Sequence, residues 1–101
     1  MSLQQVFFPK SIAVVGASTK PGSVGNDIVK NLIGQFSGAI YPVNPKATEI
    51  YETPCYASLE EISAPIELVI VVVPAAAVPD VLLSAGQKGA KAAIIISAGF
   101  K

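Results

Sequence analysis

The stretch "AVVGASTKPGSVGN", Ala13–Asn26, passes from an apolar, β-branched segment through a glycine-rich turn into a helical pattern. A strand, a glycine turn and a helix in that order form the opening unit of an open parallel α/β sheet, where the turn is placed to meet a phosphate. Its glycines, Gly16, Gly22 and Gly25, are spaced G-x5-G-x2-G. That spacing differs from the G-x-G-x-x-G of dinucleotide dehydrogenases, and no Gly-Lys-Ser/Thr follows to make a Walker A loop. Ser18 and Thr19 stand where a dehydrogenase presses bare backbone onto a pyrophosphate, so a wider loop with hydroxyl donors is expected. A helix starting near Ser23 aims its free N–H groups and positive dipole end at that loop, and Lys20 adds a point charge. The alternative is that the glycines and Pro21 merely make a tight strand-to-helix turn.

Working outward, three more apolar runs follow Ser11–Val15: residues 39–43, 68–73 and 92–97. They are nearly continuous, as strands buried on both faces of a parallel sheet read. Between the first two, residues 24–36 carry Ile28, Leu32 and Phe36 at fourfold spacing with Val24 behind them, a helical stripe. Gly38 is placed to supply a left-handed exit from that helix. The second connection, residues 46–63, is looser and holds a candidate capping box, Ser58 with Glu61, worth one or two turns. In the third, residues 75–88, Val78, Val81, Leu82 and Ala85 share a face, Pro79 fits only the first turn, and Gly86 and Gly89 break the helix.

These elements predict a Rossmann-like α/β fold: an open parallel sheet in three layers, with strand order 3-2-1-4 or a small variant and its ligand crevice between strands one and four. The whole chain, residues 1–101, reads as one domain. It is truncated after the fourth strand, at "SAGFK", where another helix is due. A fragment of a longer protein, or a face covered by a partner, is the expectation.

Composition excludes several classes. The chain is 51% hydrophobic and 14% charged, which suits a folded core and not a disordered segment. Seven lysines balance seven acids, without arginine or histidine, so there is no basic footprint for nucleic acid. The single cysteine, Cys55, has no internal disulfide partner, no histidine to share a metal with and no base to activate it. No metal site and no catalytic residue are assigned. Apolar runs fall far short of the roughly 20 residues of a membrane span, and no secretory signal opens the chain. A cytoplasmic address, with no membrane partner, is the simplest expectation.

The ends of the later strands sharpen the ligand. A dehydrogenase places an acid about 20 residues past its loop to take the ribose hydroxyls. Here "YPVNPK" puts Asn44 at that point, with Lys46 two residues on. An uncharged residue followed by a lysine suits a nucleotide with an extra ribose phosphate, although Lys46 also reads as a solvated turn lysine. "VVVPAAAVP" and "IIISAGF" end the third and fourth strands in Pro74 and in Ser97, Ala98 and Gly99, small residues that let an extended ligand lie against backbone.

Taken together, "FFPKSIAVVGAS", "GSVGNDIVKNL", "YPVNPK", "YASLEEI", "VVVPAAAVP" and "IIISAGF" resemble the N-terminal CoA-binding domain of the NDP-forming acyl-CoA synthetases and of the succinate–CoA ligase α subunit. The resemblance is greatest with the ADP-forming acetate–CoA ligase type, and a similar domain opens some bacterial protein acetyltransferases. It implies that CoA or acyl-CoA is held by the turn after strand one (Gly16, Ser18, Thr19, Lys20, Pro21, Gly22), by Asn44 and Lys46 after strand two, and by Ser97, Ala98 and Gly99 after strand four, with Pro74 as a wall. Ala98 stands where some ligases carry a glutamate, which leaves the acyl end undefined. The full ligases convert acyl-CoA, phosphate and ADP into acid, CoA and ATP through a phosphorylated histidine. This chain has none, so the resemblance implies a binding unit that does not catalyse alone, with ATP or ADP and Mg handled by domains or subunits elsewhere in the parent. The alternative is a CoA- or nucleotide-sensing regulatory domain of a protein acetyltransferase; a nicotinamide dinucleotide site is disfavoured by Asn44.

Overall fold

The computed structural model describes residues 9–96. β1 (Ser11–Val15) leads into α1 (Val24–Gln35), then β2 (Ala39–Val43), a hairpin of β3 (Glu49–Ile50) and β4 (Thr53–Pro54), β5 (Leu68–Val71), α2 (Val78–Gln87) and β6 (Ala92–Ile95). Short 3-10 turns at Leu59–Glu61 and Ala75–Ala77 precede β5 and α2. The four long strands form one parallel sheet in the order β2-β1-β5-β6.

Alternation along the central strands divides the core in two. Ile12, Val14, Leu68, Ile70 and Val72 face α1, where Val29 is fully buried and Ile28, Leu32 and Phe36 pack alongside. Ala13, Val69 and Val71 face the other way, against Leu59, Ile62, Ile66 and Ala85. The three layers expected from sequence are therefore present.

The strand order corrects the expected 3-2-1-4. The third strand pairs with the first, not the second, so the crevice where the order reverses lies between β1 and β5 and not between strands one and four. Pro42 explains this. It has no N–H, and prolines are confined to edge strands of a sheet. Its carbonyl accepts from the Tyr56 N–H (2.9 Å), on the side away from β1, so its missing donor faces the outer edge. The connection from β2 to β5 wraps that edge: Ile50 is buried on the α1 side, while Leu59, Ile62 and Ile66 are buried on the opposite face.

Several local expectations also change. The third strand ends at Val71 rather than residue 73 and the fourth at Ile95, where Ala93, Ile94 and Ile95 are exposed because β6 lies at the margin of the sheet. Val24 and Leu82 turn outward. Gly38 has no positive φ; a side chain there would strike the Lys10 carbonyl and the Phe36 ring. Ser58 makes no side-chain cap, because the Glu61 N–H already donates to its carbonyl (3.2 Å). Gly86 stays within α2, and the helix is closed just past its end by Gly89 (φ 83), with the Gly89 N–H donating to Gly86 and the Ala90 N–H to Ala85, a Schellman closure.

Candidate functional site

The loop between β1 and α1 lies at the carboxyl edge of the sheet, and its path is set by backbone contact. Gly16 has φ 99, and a Cβ there would run into the Val72 carbonyl of the neighbouring strand. A Cβ on Gly25 would strike the Gly16 carbonyl, so the first turn of α1 sits directly on the loop. The helix begins where expected: Ser23 is its N-cap, its hydroxyl accepting from the Asn26 N–H (3.3 Å) and donating to the Lys20 carbonyl (2.8 Å).

Two asparagines then fix the loop. The Asn44 side-chain amide donates to the Ala17 carbonyl (2.8 Å), and the Asn26 amide donates to the Ser18 carbonyl (2.9 Å). Because the peptide unit is planar and trans, a carbonyl drawn to one side sends the following N–H to the other. The N–H groups of Ser18 and Thr19 are thereby turned away from the two asparagines, and neither has a hydrogen-bond partner among the described residues. Two adjacent N–H groups left unpaired at the carboxyl edge of the sheet are available to an anion. The Ser18 hydroxyl accepts from the Lys20 N–H (3.0 Å), folding the next residue back onto the loop.

Two clefts meet at Asn44. A polar one of about 460 Å³ is lined by Thr19, Asn44, Lys46, Ala47, Thr48 and Glu49. A more apolar one of about 320 Å³ lies between the ends of β1 and β2, the 3-10 turn at Leu59 and α2, with Val15, Gly16, Val43, Leu59, Val73 and Val81 among its walls and Glu60, Asp80 and Ser84 also lining it. The Glu60 carboxyl is held below its ordinary pKa, chiefly by the Ser84 hydroxyl and then by its own N–H. Asn44 is fixed from three directions: its N–H donates to Tyr56 (2.8 Å), its amide to Ala17, and its Oδ1 accepts from the Lys46 N–H (2.7 Å).

Of the residues singled out from sequence, the fold brings Thr19, Asn44 and Lys46 into the polar cleft, and Gly16 and Asn44 into the apolar one. Ser18, Lys20, Pro21 and Gly22 form the loop beside them and line neither. Pro74 is exposed at the start of the 3-10 turn Ala75–Ala77 and also lines neither. Ser97, Ala98 and Gly99 lie outside the described residues. Sequence reasoning missed Asn26, Tyr51, Glu60 and Ser84. A polar residue in a first helical turn reads as solvated, so Asn26 carries no signal, and "ASLEE" reads as a cap, whereas Glu60 lines the apolar cleft. Cys55 is half-buried, and burial pushes its thiol pKa up, the direction of an inert thiol. No group of three potential metal ligands occurs among the described residues, and none of their helices is long and apolar enough to cross a membrane.

A bound CoA would bring a diphosphate, a ribose phosphate and a base. The outward N–H groups, the Thr19 and Thr48 hydroxyls and Lys46 are a donor set for phosphates, and the apolar cleft adjoins them through Asn44, so the residues present fit such a ligand.

Comparison with known proteins gives the family. Residues 10–101 match the family described as "CoA binding domain". The chain is 48% identical over 99 residues to the ADP-forming acetate–CoA ligase I of Archaeoglobus fulgidus, covering 98% of this chain and 14% of that protein. It is 50% identical over 105 residues to the α subunit of the ADP-forming acetate–CoA ligase I of Pyrococcus furiosus, covering 99% of this chain and 23% of that subunit. Among solved structures it resembles the dinucleotide-forming acetyl-coenzyme A synthetase 1 of Ca. Korarchaeum cryptofilum in complex with phosphate and ADP, with a TM-score of 0.88, 36% identity, and coverage of 98% of this chain and 22% of that one. The chain thus spans less than a quarter of the length of these relatives. By sequence and fold alike, it belongs to the CoA-binding domain family, homologous to the N-terminal or α-subunit region of the NDP-forming acyl-CoA synthetases.

Proposed function

We propose that this chain is the CoA-binding unit of an ADP-forming acyl-CoA synthetase, and that the loop at residues 16–22, with Asn44 and Lys46, cradles the phosphates of CoA. The observation that carries this is the pair of asparagine clamps, which turn the Ser18 and Thr19 N–H groups away from Asn44 and Asn26 at the carboxyl edge of the sheet. Lys46 takes the ribose 3′-phosphate as a point charge, and Gly22 (φ 89) lets the loop turn into the helix whose N-terminus faces the diphosphate. Ser18, Lys20 and Pro21 shape the rim, Pro74 is a wall, and Ser97, Ala98 and Gly99 complete the site after the fourth strand. The apolar cleft receives an uncharged part of the ligand.

In the parent, acyl-CoA, phosphate and ADP give acid, CoA and ATP. This chain has no histidine to carry a phosphoryl group, so its part is to hold CoA while other domains or subunits supply the nucleotide site, Mg and the phosphoryl relay. A regulatory role in an acetyltransferase has no support from the relatives reported above, which are ligases.

Calorimetric titration of the chain with CoA, dephospho-CoA and NAD tests the proposal. CoA is expected to bind more tightly than dephospho-CoA, with no heat from NAD. Equal binding of CoA and NAD would overturn it.

A further inference from the structure

We propose that Tyr51 is a positioning residue for the phosphate loop, acting on it through Asn26; this rests on the reading that the loop cradles CoA. Tyr51 (φ 51) and Glu52 (φ 66) form the two-residue turn of the β3–β4 hairpin, and both are left-handed. Such turns favour glycine, asparagine or aspartate, because a larger side chain is strained there. A tyrosine held in that conformation needs a contact that repays the strain.

That contact is specific. The Tyr51 hydroxyl donates to Asn26 Oδ1 (2.7 Å), and Asn26 is only 2% exposed. Once Oδ1 is committed to Tyr51, the other end of the amide is the donor, and it meets the Ser18 carbonyl (2.9 Å). The Ser18 carbonyl, which can only accept, requires the amide nitrogen on the loop side, and the Tyr51 hydroxyl, donating to Oδ1, holds the amide in that orientation from the other end. A chain of two hydrogen bonds runs from the hairpin tip through the first turn of α1 to the loop.

The same hairpin begins at Glu49, which lines the polar cleft together with Thr48 and Thr19. It forms part of that cleft and, through Tyr51, grips the loop that supplies Thr19 to it. Because this grip orients the Thr19 N–H and not Lys46, its loss should weaken any ligand carrying the diphosphate, whether or not the ribose phosphate is present.

The test titrates CoA and dephospho-CoA into the wild-type chain and Tyr51→Phe, well below their melting temperatures, and measures amide hydrogen exchange in the ligand-free chains. The dissociation constants of both ligands are expected to rise by the same factor, about 3- to 10-fold, the effect of losing one hydrogen bond. The Lys20, Ser23 and Asn26 amides, which are hydrogen-bonded within the loop and the helix cap, should exchange faster while those of β5 do not. A merely structural role would speed exchange throughout and leave affinity for the folded chain unchanged. Tyr51→Gly, which suits the left-handed turn but has no hydroxyl, should give the same loss, so the inference does not hang on one variant. Unchanged affinity in a wild-type chain that binds CoA overturns it, and so does unchanged exchange in the loop. Exchange needs no ligand; if the wild type binds neither ligand, the cradle reading fails and the exchange result still decides the Tyr51 link.

Discussion

The two margins of the sheet are finished differently. At β2, Pro42 withholds a donor from the outer edge and Tyr56 pairs along it, so the chain seals that side as it wraps round to the opposite face. At β6, Ala93, Ile94 and Ile95 are exposed, and Leu83 of the adjacent α2 is 64% exposed. The asparagine clamps, the strained hairpin and the polar cleft all lie on the sealed side. A ligand cradle needs parts that do not move relative to one another, and the sealed margin supplies them through buried contacts and satisfied polar groups.

Substitutions break or sharpen that contrast. The largest effect is expected at Gly16→Ala, which combines a positive φ with a collision against the Val72 carbonyl; it should cost about 3–5 kcal/mol in urea denaturation. Val69→Ala, in the fully buried centre, should cost about 2–3 kcal/mol, whereas Ile95→Ala on the open margin should stay within about 0.5 kcal/mol. If the two cost the same, the margins are not energetically distinct. Lys46→Ala should weaken CoA by about 1–3 kcal/mol in calorimetry while barely changing dephospho-CoA, the scale of a charged hydrogen bond. The smallest effect belongs to Glu67, which joins β1 to β6 across the sheet: its Oε1 accepts from the Lys10 N–H (2.9 Å), and Lys91 Nζ stands 3.6 Å from Oε2. The Lys10 N–H is the main cause holding its carboxyl below the ordinary value of 4.5. A lowered folded pKa means this contribution is fully present above 4.5 and is lost as pH falls through the folded value. Glu67→Gln should flatten that acid limb of the stability curve.

The strands were legible because burial on both faces leaves unbroken β-branched runs, and α1 because Ile28, Leu32 and Phe36 repeat at its pitch. Strand order was less so: periodicity finds strands and is silent on neighbours, and only Pro42 marks an edge. β6 shows the reverse failure, since "AAIII" looks as buried as β5 in sequence. In the candidate site, Thr19, expected from the first loop, and Asn44 and Lys46, expected from the end of the second strand, line the polar cleft, while Asn26 and Tyr51 gave no signal. Their roles come from a hydrogen bond between residues 25 apart, and no spacing rule encodes it.

The central claim, that CoA lies on the sealed side of the sheet, is tested most directly by following backbone amide shifts as CoA is added to the chain. The account predicts the largest changes at Ser18, Thr19, Lys20, Gly22, Asn44 and Lys46, with little movement in the Ile94–Ile95 margin. Changes centred on β6 and α2, with the loop amides still, would contradict it.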